Sequence, residues 1–493
     1  MKNILLSLSI LLFITIKGCS QYSDTNNINW IDHIENDLIP FWITADAKGV
    51  PLGNFPTFRC NNGKIQDCPE LNIESIPEWL RIQSDSLQRD YVRMKSRQIF
   101  LYSVAYHLTG KEDYLENAKN GVDYILSHVD YKNFKIHSFW QDRKKLPTPQ
   151  QVTSQDLAYS LCGLTFFYYI TRDKKLLDII THTKNEIFNN YLLHSNTIEK
   201  DTLFAWVKED FETDKTTNKE LVANLDQVNA YLLLIAPLVN DSLADRYKSD
   251  LLMLSKIMNN NFYNAESNVY WGKLHDKKYG LEYHTDFGHT IKTFWMEYLI
   301  GKMVNDSTLI LFAKNNALKL LKEAYIKETG SWGSCYSDGG PGKKINCNKS
   351  WWIYAELDQM TATLSMADKS LYNTYLNSTY EYWMDHFVDR KDCEVWHELN
   401  CDGNPNLSIP KIHIWKNGYH SFEHALVAYI TTSSINNKEV TLYWALNNGI
   451  NIEKEYINPY YFKGEIKNIE STDFNRKKLG CYSRFEVHFT DIR

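Results

Sequence analysis

From Ile28 to Ile430 the chain repeats one pattern about a dozen times: apolar residues at three- and four-residue spacing, then a loop rich in Gly, Pro or Asn. The segments SRQIFLYSVAYHL, EDYLENAKNGVDYILSHV, LVANLDQVNAYLLLIAPLV, STLILFAKNNALKLLKEAYI and AELDQMTATLSMA carry the helical period. KGVPLGNF, KKLPTPQQ, SDGGPGKK and NCDGNPNLSIPK interrupt it. Length alone, 493 residues, allows two or three average domains or one large ring. Helices joined by loops of uneven length fit a closed ring of helix pairs better than a bundle with uniformly short turns, so the pattern predicts an all-α body over 28–434. After Ser434 the texture changes. EVTLYWAL and SRFEVHFTDI alternate, with YINPYYFKGEI between them, which predicts a small β-rich appendage over 435–493 packed on the helices.

The N-terminus MKNILLSLSILLFITIKGCSQ has an early lysine, an apolar run from Ile4 to Ile16, and then Gly18-Cys19. The run is too short to remain as a spanning helix and reads as a secretory signal. A cysteine at its end resembles the lipobox of bacterial lipoproteins. That resemblance implies a signal peptide over 1–18, lipid on Cys19, a polar tether over 19–27 and a membrane-anchored protein of the bacterial cell envelope, facing the periplasm or exterior. Ordinary secretion with loss of Cys19 is the alternative. Export implies an oxidising compartment, and three cysteine pairs lie close in loop-like sequence: Cys60 with Cys68, Cys335 with Cys347, and Cys393 with Cys401. Each is expected to staple a short loop, leaving Cys162 and Cys481 as thiols. The 54 basic and 60 acidic residues form no long run of one sign, which argues against a nucleic-acid partner, and no tight His/Cys cluster supports a metal site.

Several segments, in order, resemble the superfamily of N-acylglucosamine 2-epimerases and cellobiose 2-epimerases. They are PFWITADAKGVPLGNF, the Arg97 helix opening at Ser96, the run from Gly288-His289 to Trp295, the segment from Lys349 through Trp352 to Glu356, and Trp415 to His420. The resemblance implies an (α/α)6 barrel whose inner helices line a funnel. It also implies chemistry at the reducing end of a monosaccharide or oligosaccharide, with no cofactor. Epimerisation or aldose–ketose isomerisation at C2 removes a proton alpha to the open-chain carbonyl and passes through a cis-enediolate, which calls for a base, an acid and an oxyanion stabiliser. By the resemblance His289 and His420 are the acid/base pair and Arg97 holds the enediolate oxygen. Trp352 and Trp415, with Trp295 and Tyr419 near them, offer surfaces to the sugar, and Glu356 accepts its hydroxyls.

Two segments depart from the family pattern. Lys292 stands where its motif has glutamate, and in LVANLDQVNAYLLL Asp226 and Asn229 stand where it has histidine and glutamate. A lysine turned into a funnel carries an unpaired charge unless something neutralises it, so Asp226 and Lys292 are expected to form a swapped ion pair. Alternatively, Lys292 receives the carboxylate or sulfate of an acidic sugar. The departures also keep two other functions open. One is a glycoside hydrolase or uronate-processing enzyme on the same barrel, using Asp226, Glu356 or Asp358. The other is a silent carbohydrate-binding lipoprotein. Oligomeric state is left open.

Overall fold

The computed structural model describes residues 28–65, 89–132, 136–141, 144–145, 153–193, 203–207, 219–337 and 340–493. The leader, the tether, Cys19 and Cys68 lie outside these residues.

Among the described residues twelve long helical stretches alternate between two concentric rings. The inner ring consists of α2 (Val92–Thr109), α4 (Ser154–Thr171), α6 (Leu221–Gln227, continuing through Val228–Leu232 and Leu233–Ile235), α8 (Phe287–Val304), α10 (Trp351–Ser365) and α12 (Tyr419–Ile435). Each packs on the next, and α12 returns to α2 to close the circle. Outside them lie α3 (Glu112–Leu126), α5 (Lys174–Tyr191), α7 (Asp241–Asn261), α9 (Ser307–Ala324) and α11 (Lys369–Leu371, continuing to Phe387). The sixth outer helix is α1, running from Trp30 to Trp42 against α12. The architecture is an (α/α)6 barrel.

Burial separates the two rings as hydrophobic patterning requires. On α3 the buried residues Tyr114, Leu115, Ala118, Val122 and Ile125 form one stripe, whereas α4 is buried along its whole length. Leu221–Leu238 of α6 is apolar enough to cross a bilayer but is 89% buried inside this fold, as an inner-ring helix must be. Side-chain caps fix several helix starts, among them Thr153 for α4 and Asp286 for α8.

Three antiparallel strands follow: β1 (Val440–Asn447), β2 (Glu465–Asp473) and β3 (Tyr482–Thr490), in the order β1-β3-β2. β1 packs against α2 and α4, with Trp444 fully buried and the Tyr106 hydroxyl donating to its carbonyl at 2.9 Å. β2 is the solvent-facing edge.

The disulfide pattern corrects two expectations. Cys347 bonds Cys401, while Cys335 and Cys393 are free thiols. The cause is strand register: Lys349 pairs with Leu399 in an antiparallel ladder, and stepping back two residues brings Cys347 opposite Cys401. Cys335 faces Asn346 in a separate ladder. Cys60 is disulfide-bonded, and its expected partner Cys68 lies outside the described residues. The Cys347–Cys401 bond closes a 54-residue separation, so Cys347→Ser is expected to cost about 2–4 kcal/mol. Denaturant midpoints should show this loss, and the wild type should show it in reductant; equal midpoints would contradict it.

Candidate active site

The inner helices present their N-terminal turns to one mouth, and the expected site residues enter from there. On α8, His289, Lys292 and Trp295 succeed each other at three-residue spacing and form a stripe running into the barrel. Exposure falls along it, from 15% for the His289 side chain to 4% for Lys292 and 1% for Trp295. Trp295 is therefore no platform beside a sugar. It lies deep, 5.9 Å from the Tyr461 ring. Helical periodicity gives the face a residue occupies but not its depth along the funnel.

Asp286 organises the mouth of α8. One carboxylate oxygen accepts the His289 backbone N–H at 2.8 Å, and the other lies 2.7 Å from Nδ1. A carboxylate partner fixes the proton on Nδ1, so Nε2 is the nitrogen left for a substrate. Gly288 allows the next contact: a Cβ there would stand 2.6 Å from Ile353 and Trp352 side-chain atoms, so α10 could not approach this closely. Trp352 consequently packs edge-on to His289 at 4.6 Å and lies 6.1 Å from the His420 ring. The half-buried indole contacts both imidazoles.

His420 opens α12 and is 4% exposed. Burial, then the nearby Arg97 and Lys292 charges, hold its pKa well below the ordinary value, so the imidazole is neutral. Its Nδ1 lies 3.4 Å from Glu356 Oε1. Arg97 donates to the Trp415 carbonyl at 3.0 Å and lies over the rings of Tyr159 and Tyr419. Among the described residues it pairs with no carboxylate, which leaves N–H donors for a ligand oxygen. Arg93, one turn earlier, is bound to Asp156 at 3.0 Å and lies over Trp415. Tyr419 is buried and bonds inward, its hydroxyl 3.4 Å from Glu423, so it supports the site and offers no open face.

Below the imidazoles lies a cluster of buried charge. Lys292 Nζ stands 3.6 Å from Asp226 and 3.7 Å from Glu356, so the swapped ion pair is present. Asp226 also accepts from Gln155 at 2.7 Å and from Tyr159 at 3.0 Å. Asn229, oriented with its carbonyl toward Lys292, accepts at 3.1 Å and donates to Asp226 at 3.0 Å. It lies in the π-helical turn Val228–Leu232 of α6. Burial alone would push the lysine's pKa down; Tyr159, Glu356, Asp226 and Glu423 outweigh it and hold the ammonium above its usual value. One ammonium cannot neutralise three carboxyls. Glu356, whose oxygens receive no hydrogen bond, is pushed up by burial to about 8 and is the protonated member. Glu356, His420 and Glu423 bring ligand-type atoms within 4.8 Å of each other, with the Lys292 ammonium 3.7 Å from Glu356. Asp358 belongs to a different knot, accepting from Trp332 and Thr379 and paired with His424.

Sequence reasoning missed Asp286, Glu423, Tyr159 and Gln155. Asp286 was legible as an N-cap three residues before a histidine. The others needed the ring to be closed.

The family model for N-acylglucosamine 2-epimerase matches residues 78–426. The chain belongs to the N-acylglucosamine 2-epimerase family. Membership places it among carbohydrate epimerases and isomerases, and the match runs from before α2 into α12, ending ahead of the β extension. The chain is 20% identical over 406 residues to a cellobiose 2-epimerase of Dictyoglomus turgidum, covering 79% of this chain and 94% of that protein. A solved cellobiose 2-epimerase from Bacillus thermoamylovorans has a TM-score of 0.65 at 16% identity, over 81% of this chain and 97% of that one. A D-mannose isomerase structure also scores 0.65, at 17% identity, over 84% and 99%. Identities this low carry the fold across, and the side chains must be argued from their own geometry.

Proposed function

We propose that the protein epimerises or isomerises a neutral reducing sugar at C2 through a cis-enediolate. The observation that carries this reading is the pair of unlike imidazoles that both pack against Trp352, His420 buried and neutral and His289 held by Asp286. His420, neutral and buried, accepts the C2 proton as the C–H bond breaks and its electron pair moves into the enediolate. His289, oriented by Asp286, exchanges a proton with the opposite side of the intermediate. The unpaired N–H groups of Arg97 meet the developing oxyanion, and Trp352 and Trp415, both half-buried, give the sugar its apolar surfaces.

A neutral substrate follows from the state of Lys292. Its charge is paired with Asp226 at 3.6 Å and bonded to the Asn229 carbonyl, so it has none to offer an acidic sugar. The relatives named for cellobiose and D-mannose, both neutral sugars, support the same class. Hydrolysis would need two carboxyls flanking an open bond. Asp226 and Glu356 instead share one lysine, and Asp358 is bound into its own hydrogen-bond knot. Retention of C2 exchange in both His289→Asn and His420→Asn would overturn the proposal.

We also propose that the protein is exported and lipid-anchored at Cys19. Disulfides at Cys60 and at Cys347–Cys401 support an oxidising compartment. Labelled fatty acid should enter the wild type and not Cys19→Ala; equal labelling would contradict the anchor.

A further inference from the structure

The β extension reaches the active site from the side opposite the mouth. Between β1 and β2 the chain makes a turn from Asn458 to Phe462 that enters the ring's deep end. Tyr460 adopts a left-handed backbone, φ 56°, a conformation that costs energy for a non-glycine residue. The turn is held in place from α4: the Tyr169 hydroxyl donates to the Asn458 carbonyl at 2.6 Å and accepts the Tyr460 N–H at 3.0 Å. Held this way, Tyr460 and Tyr461 pack ring on ring at 3.9 Å. Tyr461 closes against Trp295, at the foot of the α8 stripe. The Tyr460 hydroxyl donates to Glu423 Oε1 at 2.6 Å.

Glu423 lies on α12 three residues after His420, with ligand-type atoms of the two within 4.8 Å. The titratable groups facing it are Tyr419 and His420 from its own helix, Lys292 from α8, Glu356 from α10, Cys162 from α4, and Tyr460 and Tyr461 from the extension. Of these, Lys292 and the hydroxyls of Tyr460 and Tyr419 favour its ionised form, while burial opposes it. The Tyr460 bond is the shortest of the hydroxyl contacts, 2.6 Å against 3.4 Å for Tyr419.

We propose that Tyr460 is a positioning residue of the active site, fixing the Glu423 carboxylate beneath His420 from a segment that lies beyond the family match. The extension is then part of the catalytic unit: it seals the deep end and supplies one donor to the carboxyl cluster. The strained backbone at Tyr460 is retained because the turn must deliver that hydroxyl to one oxygen.

The test compares full-length wild type, Tyr460→Phe, Glu423→Gln and a matched control, Tyr106→Phe. Tyr106 is equally buried and also bonds the extension, through the Trp444 carbonyl, but touches none of the charged cluster. Infrared titration reads the protonated-carboxyl stretch that Glu423→Gln removes. Losing a donor to the ionised form should raise the midpoint of that band by about one pH unit in Tyr460→Phe, about tenfold in proton affinity, and leave it unmoved in Tyr106→Phe. An unmoved midpoint in Tyr460→Phe, or equal shifts in both variants, would overturn the proposal. This measurement needs no sugar, so it stands apart from the proposed reaction, on which only the kinetic readout rests. There, kcat for C2 exchange should fall more than KM changes, with the acidic limb of the profile moved to higher pH. If the infrared shift appears without any kinetic change, Tyr460 sets the carboxyl's proton affinity but does not position the site, and the proposal fails.

Discussion

His420→Asn lowers the rate of C2 proton exchange by about 10²–10⁴-fold while sugar binding persists, the range expected when a positioned base is lost. Asparagine keeps the hydrogen-bonding shape but cannot take up a proton. His289→Asn should give a loss of the same order, and the double variant should lose little more than the worse single one, because both imidazoles serve one proton path. Asp286→Asn separates orientation from chemistry: it keeps the N-cap but removes the anion that fixes the proton on Nδ1, so kcat should drop with KM nearly constant. Equilibrium sugar binding, measured beside exchange, checks all three. Variants that lose binding and exchange in parallel would show that the histidines hold the sugar without moving its proton.

Lys292→Met should be the most damaging substitution in the barrel. The side chain is 5% exposed and faces two carboxyls at 3.6 and 3.7 Å, so removing its charge strands Asp226 in the core. Breaking one member of a buried pair costs about 3–5 kcal/mol. Denaturant unfolding should show a loss of that order, and Lys292→Met/Asp226→Asn should recover part of it because the stranded charge is gone. A soluble, equally stable Lys292→Met variant that fails only to bind acidic sugars would instead assign the lysine to a substrate.

The ring of paired helices was readable because outer helices such as α3 have to be amphipathic and because uneven loops separate them. His289, Trp352 and His420 came from the family resemblance, and the structure puts each in the first turn of an inner helix. Depth was not readable. His289 and Trp295 share a face, and only the closed barrel shows that one meets solvent while the other meets Tyr461. The disulfide partner of Cys347 depended on a strand register between segments far apart in the chain, so proximity in sequence pointed to the wrong cysteine. Tyr460 carried no signal at all: its hydroxyl acquires meaning from Glu423, 37 residues earlier. By contrast, the Asp226–Lys292 pair was legible once the family resemblance put both positions in the funnel, because a buried cation requires an anion and the two departures were complementary.

Proton NMR in deuterated water is the direct test of proton transfer at C2. The purified protein is incubated with neutral reducing mono- and disaccharides and, for comparison, uronic acids. Deuterium is expected at C2 of a neutral sugar together with its epimer or ketose, with no such label in His289→Asn or His420→Asn. A neutral sugar that binds in the funnel yet keeps its C2 proton, across the whole panel, would contradict it.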